Sequence, residues 1–158
     1  MKIGMKGALV CVGASVSIAA GAQAIDESMK PQPGKYNSDL TLIDADIPGL
    51  PKQMLGLIKK RMSRSTEICL TAEVVEEGYK QALARTQYGD CTYERFSASG
   101  GVIDAVMICD GPTGPMTMTM NGTGTTTQSD VTMNVEGDMG GGQGSMTMRV
   151  VQKRLGDC

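Results

Sequence analysis

CTYERFSASGGVIDAVMIC, residues 91–109, is the stretch on which the reading of the fold turns. Two short strand-like runs flank Ser97-Ala98-Ser99-Gly100-Gly101, and the two cysteines stand symmetrically about Gly100. In an antiparallel hairpin turning there, Cys91 lies opposite Cys109. Directly opposed residues come close enough for a disulfide in the tighter class of antiparallel pair. The stretch therefore reads as a disulfide-closed hairpin in the middle of an antiparallel sheet, with the rest of the chain added around it.

Upstream, the chain opens like an export signal. Lys2 and Lys6 make a positive start, Ala8 to Ala20 is apolar, and Ala22-Gln23-Ala24 is a small-x-small cleavage site. The apolar run is too short for a stable bilayer anchor. Val10 before Cys11 does not suit a lipidation site, which wants a small residue there. Cleavage after Ala24 is expected, giving a periplasmic protein with no transmembrane segment. It leaves 134 residues, one domain's worth. Loss of Lys2 and Lys6 leaves 13 basic against 17 acidic residues, a net charge of −4 that argues against a nucleic-acid partner.

The same cut removes Cys11 and leaves Cys69, Cys91, Cys109 and Cys158. An even number in an exported chain implies two disulfides, and four cysteines allow three pairings. Hairpin symmetry favours Cys91–Cys109, which leaves Cys69–Cys158. Zinc is disfavoured, because no CxxC pair and no histidine is present.

Residues 25–34, with Pro31 and Pro33, read as a flexible leader that becomes ordered near Pro33-Gly34, and residues 35–158 as a single domain. From Lys35 to Ile43 apolar and polar residues alternate, which predicts a half-buried strand with Tyr36, Leu40 and Leu42 inward. Leu50, Met54, Leu57, Ile58 and Met62 recur at steps of three and four and predict a helix. Its Lys59, Lys60 and Arg61 suit the negative end of the helix dipole. A basic amphipathic helix can lie on a membrane, but packing on its own sheet is the plainer reading. Ser65–Leu70 reads as a second strand. Thr71 reads as the N-cap of a second helix with Val75, Tyr79, Ala82 and Leu83 on its apolar stripe.

Beyond Cys109 the sequence is rich in Gly, Thr and Met. Met116, Met118 and Met120 alternate with threonines, Val131, Met133 and Val135 do the same with polar partners, and Met146 and Met148 repeat the pattern. Three strands follow, with their methionines on one face and with turns expected around Asn121-Gly122, Gly124 and Gly140-Gly141-Gly142.

Pro33-Gly34-Lys35-Tyr36, Cys69 opening a helix, the Cys91 and Cys109 pair, the Met/Thr/Gly strands and Gly156-Asp157-Cys158 together resemble the bacterial domain-of-unknown-function family 3617. The resemblance covers nearly the whole chain after the signal. It implies an exported envelope protein of this size and no particular chemistry. Tyr36 stands where many such proteins carry tryptophan.

Enzyme classes fall away on residue inventory. Without histidine there is no Ser-His or Cys-His pair, and oxidised cysteines supply no thiolate. Neighbouring acids such as Glu76-Glu77 point to different helix faces. The glycines at 140–142 and 144 are followed by no Lys-Ser/Thr and no helix, so they cradle no phosphate. No cofactor is implied. The fold expected is α+β: a curved, mostly antiparallel sheet of six or seven strands with two helices on one side and two disulfides. The function expected is a non-enzymatic binding or structural module for an apolar envelope ligand or a protein partner, no oligomeric state being specified. The alternative is Cu(I) binding by Met116, Met118, Met120, Met146 and Met148, since thioethers suit that ion. Methionine as core filler is the simpler account of the same face.

Overall fold

The computed structural model describes residues 26–76, 85–86 and 89–158. The signal-like segment 1–24 and the expected helix positions Tyr79, Ala82 and Leu83 lie outside these. In chain order the elements are β1 (Gly34–Asp46), α1 (Lys52–Met62), β2 (Arg64–Leu70), α2 (Ala72–Glu76), β3 (Arg85–Thr86), β4 (Gly89–Ser99), β5 (Val102–Gly111), β6 (Gly114–Gly124), β7 (Gln128–Asp138) and β8 (Gln143–Gly156). Seven long strands and the two-residue β3 form one antiparallel sheet in the order β2-β1-β8-β7-β6-β5-β4-β3. Among the described residues no strand pairs beyond β2 or β3, so the sheet is open and does not close into a barrel. The fold is α+β as the alternation predicts, with α1 the longest helix among the described residues.

The central hairpin turns through Gly100 and Gly101, whose φ values of +59° and +82° suit a two-residue turn that only glycine adopts without strain. Cys91 pairs with Cys109 at a Cα–Cα distance of 4.0 Å, and Cys69 with Cys158 at 5.7 Å. Both pairings are those that symmetry favours. The register contains a step that symmetry hides: Tyr93 faces Met107 and Arg95 faces Val106, so Glu94 is a bulge. The bulge moves the inward face from even positions (Ala98, Phe96) to odd ones (Cys91), and all three are buried.

Rows of inward side chains cross the sheet in register. One runs Leu42, Met148, Met133, Met120, Ala105, Phe96. The next runs Ala45, Met146, Val135, Met118, Met107, Tyr93. A third holds Gly137, Met116, Cys109 and Cys91. These rows are the core, and each fully buried methionine, leucine or phenylalanine contributes about 1.5–3 kcal/mol through its burial. Most outward-facing residues are polar and some pair across strands, as Arg95 with Asp104 and Arg149 with Asp130 do, while Val106, Ile108 and Val151 lie among them. One polar face and one apolar face is what a half-covered antiparallel sheet requires.

Three expectations are revised. Met54 and Leu57 do not belong to the packed stripe of α1; Leu55, Ile58 and Met62 do, and Met54 and Leu57 are exposed. The spacing 55, 58, 62 makes a narrower seam than the period alone suggests. Asn121-Gly122 is no turn but the interior of β6; the chain reverses at Thr125–Gln128 instead. Gly122 serves close approach there, because a Cβ would lie 2.1 Å from the Asp130 carbonyl oxygen. The leader is docked from Asp26 onward: its carboxylate accepts from the Ser28 N–H, its own N–H donates to the Ala98 carbonyl, and Met29 is buried.

Candidate functional site

The inner face is not filled along its whole length. Beyond the methionine rows runs a further register of Leu40, Val150, Val131, Gly122, Ile103 and Ala98. Over its central part lies a cavity of about 460 Å³. That size falls in the range of small-molecule sites.

The cavity follows from side-chain size. Val150, Val131, Ile103 and Ala98 floor it, and Gly124 at its end contributes no side chain. A Cβ at Gly124 would sit 2.9 Å from Ile103 Cδ1 and 3.6 Å from Met29 Cε, so the missing side chain leaves room for both. Met133, Met120 and Phe96 form the wall shared with the core. Phe96 is held there by an edge-on contact with Tyr93, ring centroids 5.2 Å apart. Met29 and Pro31 from the leader and Val75 from α2 close over the other side. Thr71 fixes α2 in place, its hydroxyl accepting from the Val74 N–H at 3.3 Å.

Polar groups reach the cavity from its margin: Glu27, Lys30, Glu76, Gln128, Ser129 and Gln152. Ser129 and Gln152 are already joined, with Ser129 Oγ donating to Gln152 Oε1 at 3.4 Å. Tyr36 also borders the space, but its hydroxyl donates to the Gln32 carbonyl at 2.7 Å, with the Thr126 carbonyl at 3.1 Å. Burial pushes that phenol above its usual range, opposed by the nearby Arg154 charge. Tyr36 is therefore a clamp on the leader rather than an acid or base. The arrangement can enclose an apolar body and give its end a few hydrogen bonds.

The sequence-derived metal candidates lie beside this cavity. Met116, Met118, Met120 and Met148 are buried and Met146 is partly buried, all on the inner face. Met107 and Met133 join them in the same rows. Of these sheet methionines, Met120 and Met133 also line the cavity, with Met29 of the leader opposite them. Among the described residues, no group of three His, Cys, Asp or Glu side chains is placed to hold a metal. The cavity residues Ala98, Ile103 and Val150 carried no sequence signal of a site. Their signal was ordinary alternation, which marks inward facing without telling whether the space above is filled.

A family profile described as "Protein of unknown function (DUF3617)" matches residues 31–158. No curated protein and no solved structure matches the chain. Among the described residues no helix is long and apolar enough to cross a membrane.

Proposed function

The chain belongs to the DUF3617 family, and since that description carries no activity, we propose from the cavity itself that the protein is a non-enzymatic binding module for an apolar small molecule. The observation that carries this reading is a 460 Å³ space lined by valine, isoleucine, methionine and phenylalanine, with polar groups at its margin. A single acyl chain or a compact apolar molecule with a polar end fits that chemistry. An exported, periplasmic setting agrees with two disulfides and with the signal-like opening of the sequence. The absence of histidine and the bound state of Tyr36 favour binding over catalysis.

The test is displacement of a fluorescent fatty acid, together with native mass spectrometry of protein recovered from the envelope. The unaltered chain should take up the probe, and Ala98→Trp, which fills the floor, should lose it while keeping both disulfides. Equal uptake by the two proteins would remove the cavity from consideration. A second reading, Cu(I) binding by Met116, Met118, Met120, Met146 and Met148, rests on their common inner face on β6 and β8, with Met133 of β7 in register between Met120 and Met148.

A further inference from the structure

Part of α1 remains uncovered after the helix has packed. Leu55, Ile58 and Met62 turn to the core, while Met54 and Leu57, one turn apart, stay 46% and 62% exposed. Steps of three and four residues align Met54, Leu57 and Arg61 on one flank, with Lys60 beside them.

Charge is concentrated at the same place. Residues 50–64 carry Lys52, Lys59, Lys60, Arg61 and Arg64 and no acidic residue, while the rest of the chain has ten basic against 17 acidic residues. Lys59 leans towards Asp44 at 3.9 Å. Among the described residues, Lys60 and Arg61 meet no carboxylate. An acidic protein thus presents one basic helix, and that helix is where two large apolar side chains reach solvent.

We propose that this flank of α1 docks on an anionic lipid surface. Met54 and Leu57 enter the headgroup boundary, and Lys60 and Arg61 meet lipid phosphates. Apolar insertion and positive charge together are the two signals that stable surface association requires. A folded protein partner fits less well, since a standard interface covers about 800 Å² on each side and one helical flank supplies a small part of that. The inference stands on α1 alone and holds whether or not the cavity carries a ligand.

The experiment is vesicle co-sedimentation of protein purified after natural export, its N terminus fixed by mass so that all variants share it. Vesicles contain either phosphatidylcholine alone or about one third phosphatidylglycerol. Binding should favour the anionic vesicles and weaken in high salt. Lys60→Gln with Arg61→Gln should weaken it roughly thirtyfold and remove most of the salt dependence. Met54→Ser with Leu57→Ser should weaken it on both vesicle types. All four residues are exposed, so the melting temperature of either variant should match the parent and exclude unfolding as the cause. No binding, equal binding to both vesicles, or variants that bind like the parent overturns the proposal.

Discussion

Cys91 stands opposite Cys109 one residue out of step with the turn that joins their strands. A straight count from the Ser99–Val102 pair brings Thr92 to Cys109. Glu94, the extra residue in β4, supplies the missing step and turns Cys91 inward. Exchanging the two neighbours (Cys91→Thr with Thr92→Cys) should therefore place the thiol opposite Ile108 on the outer face and prevent the bridge. Titration of the denatured variant should find two free thiols. Finding none would mean that the hairpin counts straight from its turn.

The two bridges should differ in what they contribute. Cys69–Cys158 spans 89 residues and Cys91–Cys109 spans 18. Chain entropy predicts losses of about 4.5 and about 3 kcal/mol on replacing each pair by serine. Urea unfolding of the two double variants checks the order. A larger loss at Cys91–Cys109 would show that packing of the buried Cys109 outweighs loop length.

Met116, Met118 and Met120 tested together separate core from copper. Leucine at all three keeps the apolar volume, so stability should change by less than about 1.5 kcal/mol per site. Met148→Ala, in contrast, opens a hole at a side chain that is 1% exposed and should cost about 2–5 kcal/mol. Cu(I) uptake by the parent that vanishes in the leucine variant would establish the thioether site; uptake that survives would place copper elsewhere.

Two glycine-to-alanine changes should move stability in opposite directions. At Gly56, on the exposed side of α1, nothing lies within 4 Å of an added Cβ, and helix propensity predicts a gain of about 0.8–1 kcal/mol. At Gly122 the added Cβ meets the Asp130 oxygen at 2.1 Å and Val131 Cα at 2.7 Å. Backbone cannot swing aside like a flexible side chain, so β6 and β7 must separate. Thermal melts of the two variants read the signs directly.

The outer-face ion pairs add a small acid-sensitive part of stability. Hydrogen bonds from Arg95 and Arg149 hold the Asp104 and Asp130 carboxyls below their ordinary value of 3.8. A depressed folded-state pKa stabilises above the ordinary value and ceases to do so as pH falls through the depressed one. Asp104→Asn with Asp130→Asn should therefore be less stable than the parent at neutral pH, with the gap closing as pH falls below that ordinary value and through the depressed ones. Both carboxyls are exposed, so the effect is small. With no histidine, the parent's melting temperature should be nearly flat between about pH 6 and 8.

Much of the fold is legible in the sequence. Period-two alternation identifies Tyr36, Leu42, Met118, Val135 and Met148 as inward, and all are buried. It fails where a bulge changes parity. Ile43 is such a step: Leu42 pairs with Met148 and Asp44 with Thr147, so Ala45 rather than Asp44 faces the core. A strand predicted to stop at Ile43 continues to Asp46 for that reason. Asn121-Gly122 misleads because the dipeptide favours a turn in isolation, while here the ladder to β5 and β7 holds it extended. The cavity was not legible, since alternation says which side a residue faces and is silent about the volume left above it. Its nearest clue was Gly124, whose missing side chain reads as a turn signal in sequence and as open space in the fold.

The strand order carries a consequence for when the sheet can be completed. β8 is the last strand in chain order, yet it lies between β1 and β7 and joins the β1–β2 unit to the β4–β7 meander. Until β8 emerges, the amino-terminal pair has no neighbour on its inner edge, and the meander ends at an unpaired β7. Pairing Lys35 with Gly156 then closes one of the longest loops in the molecule, a slow step in any folding sequence. A chain threaded amino-terminus first through a narrow pore would be unable to complete its sheet midway. The sheet is thus completed only by its last strand, which must pair on both of its edges at once.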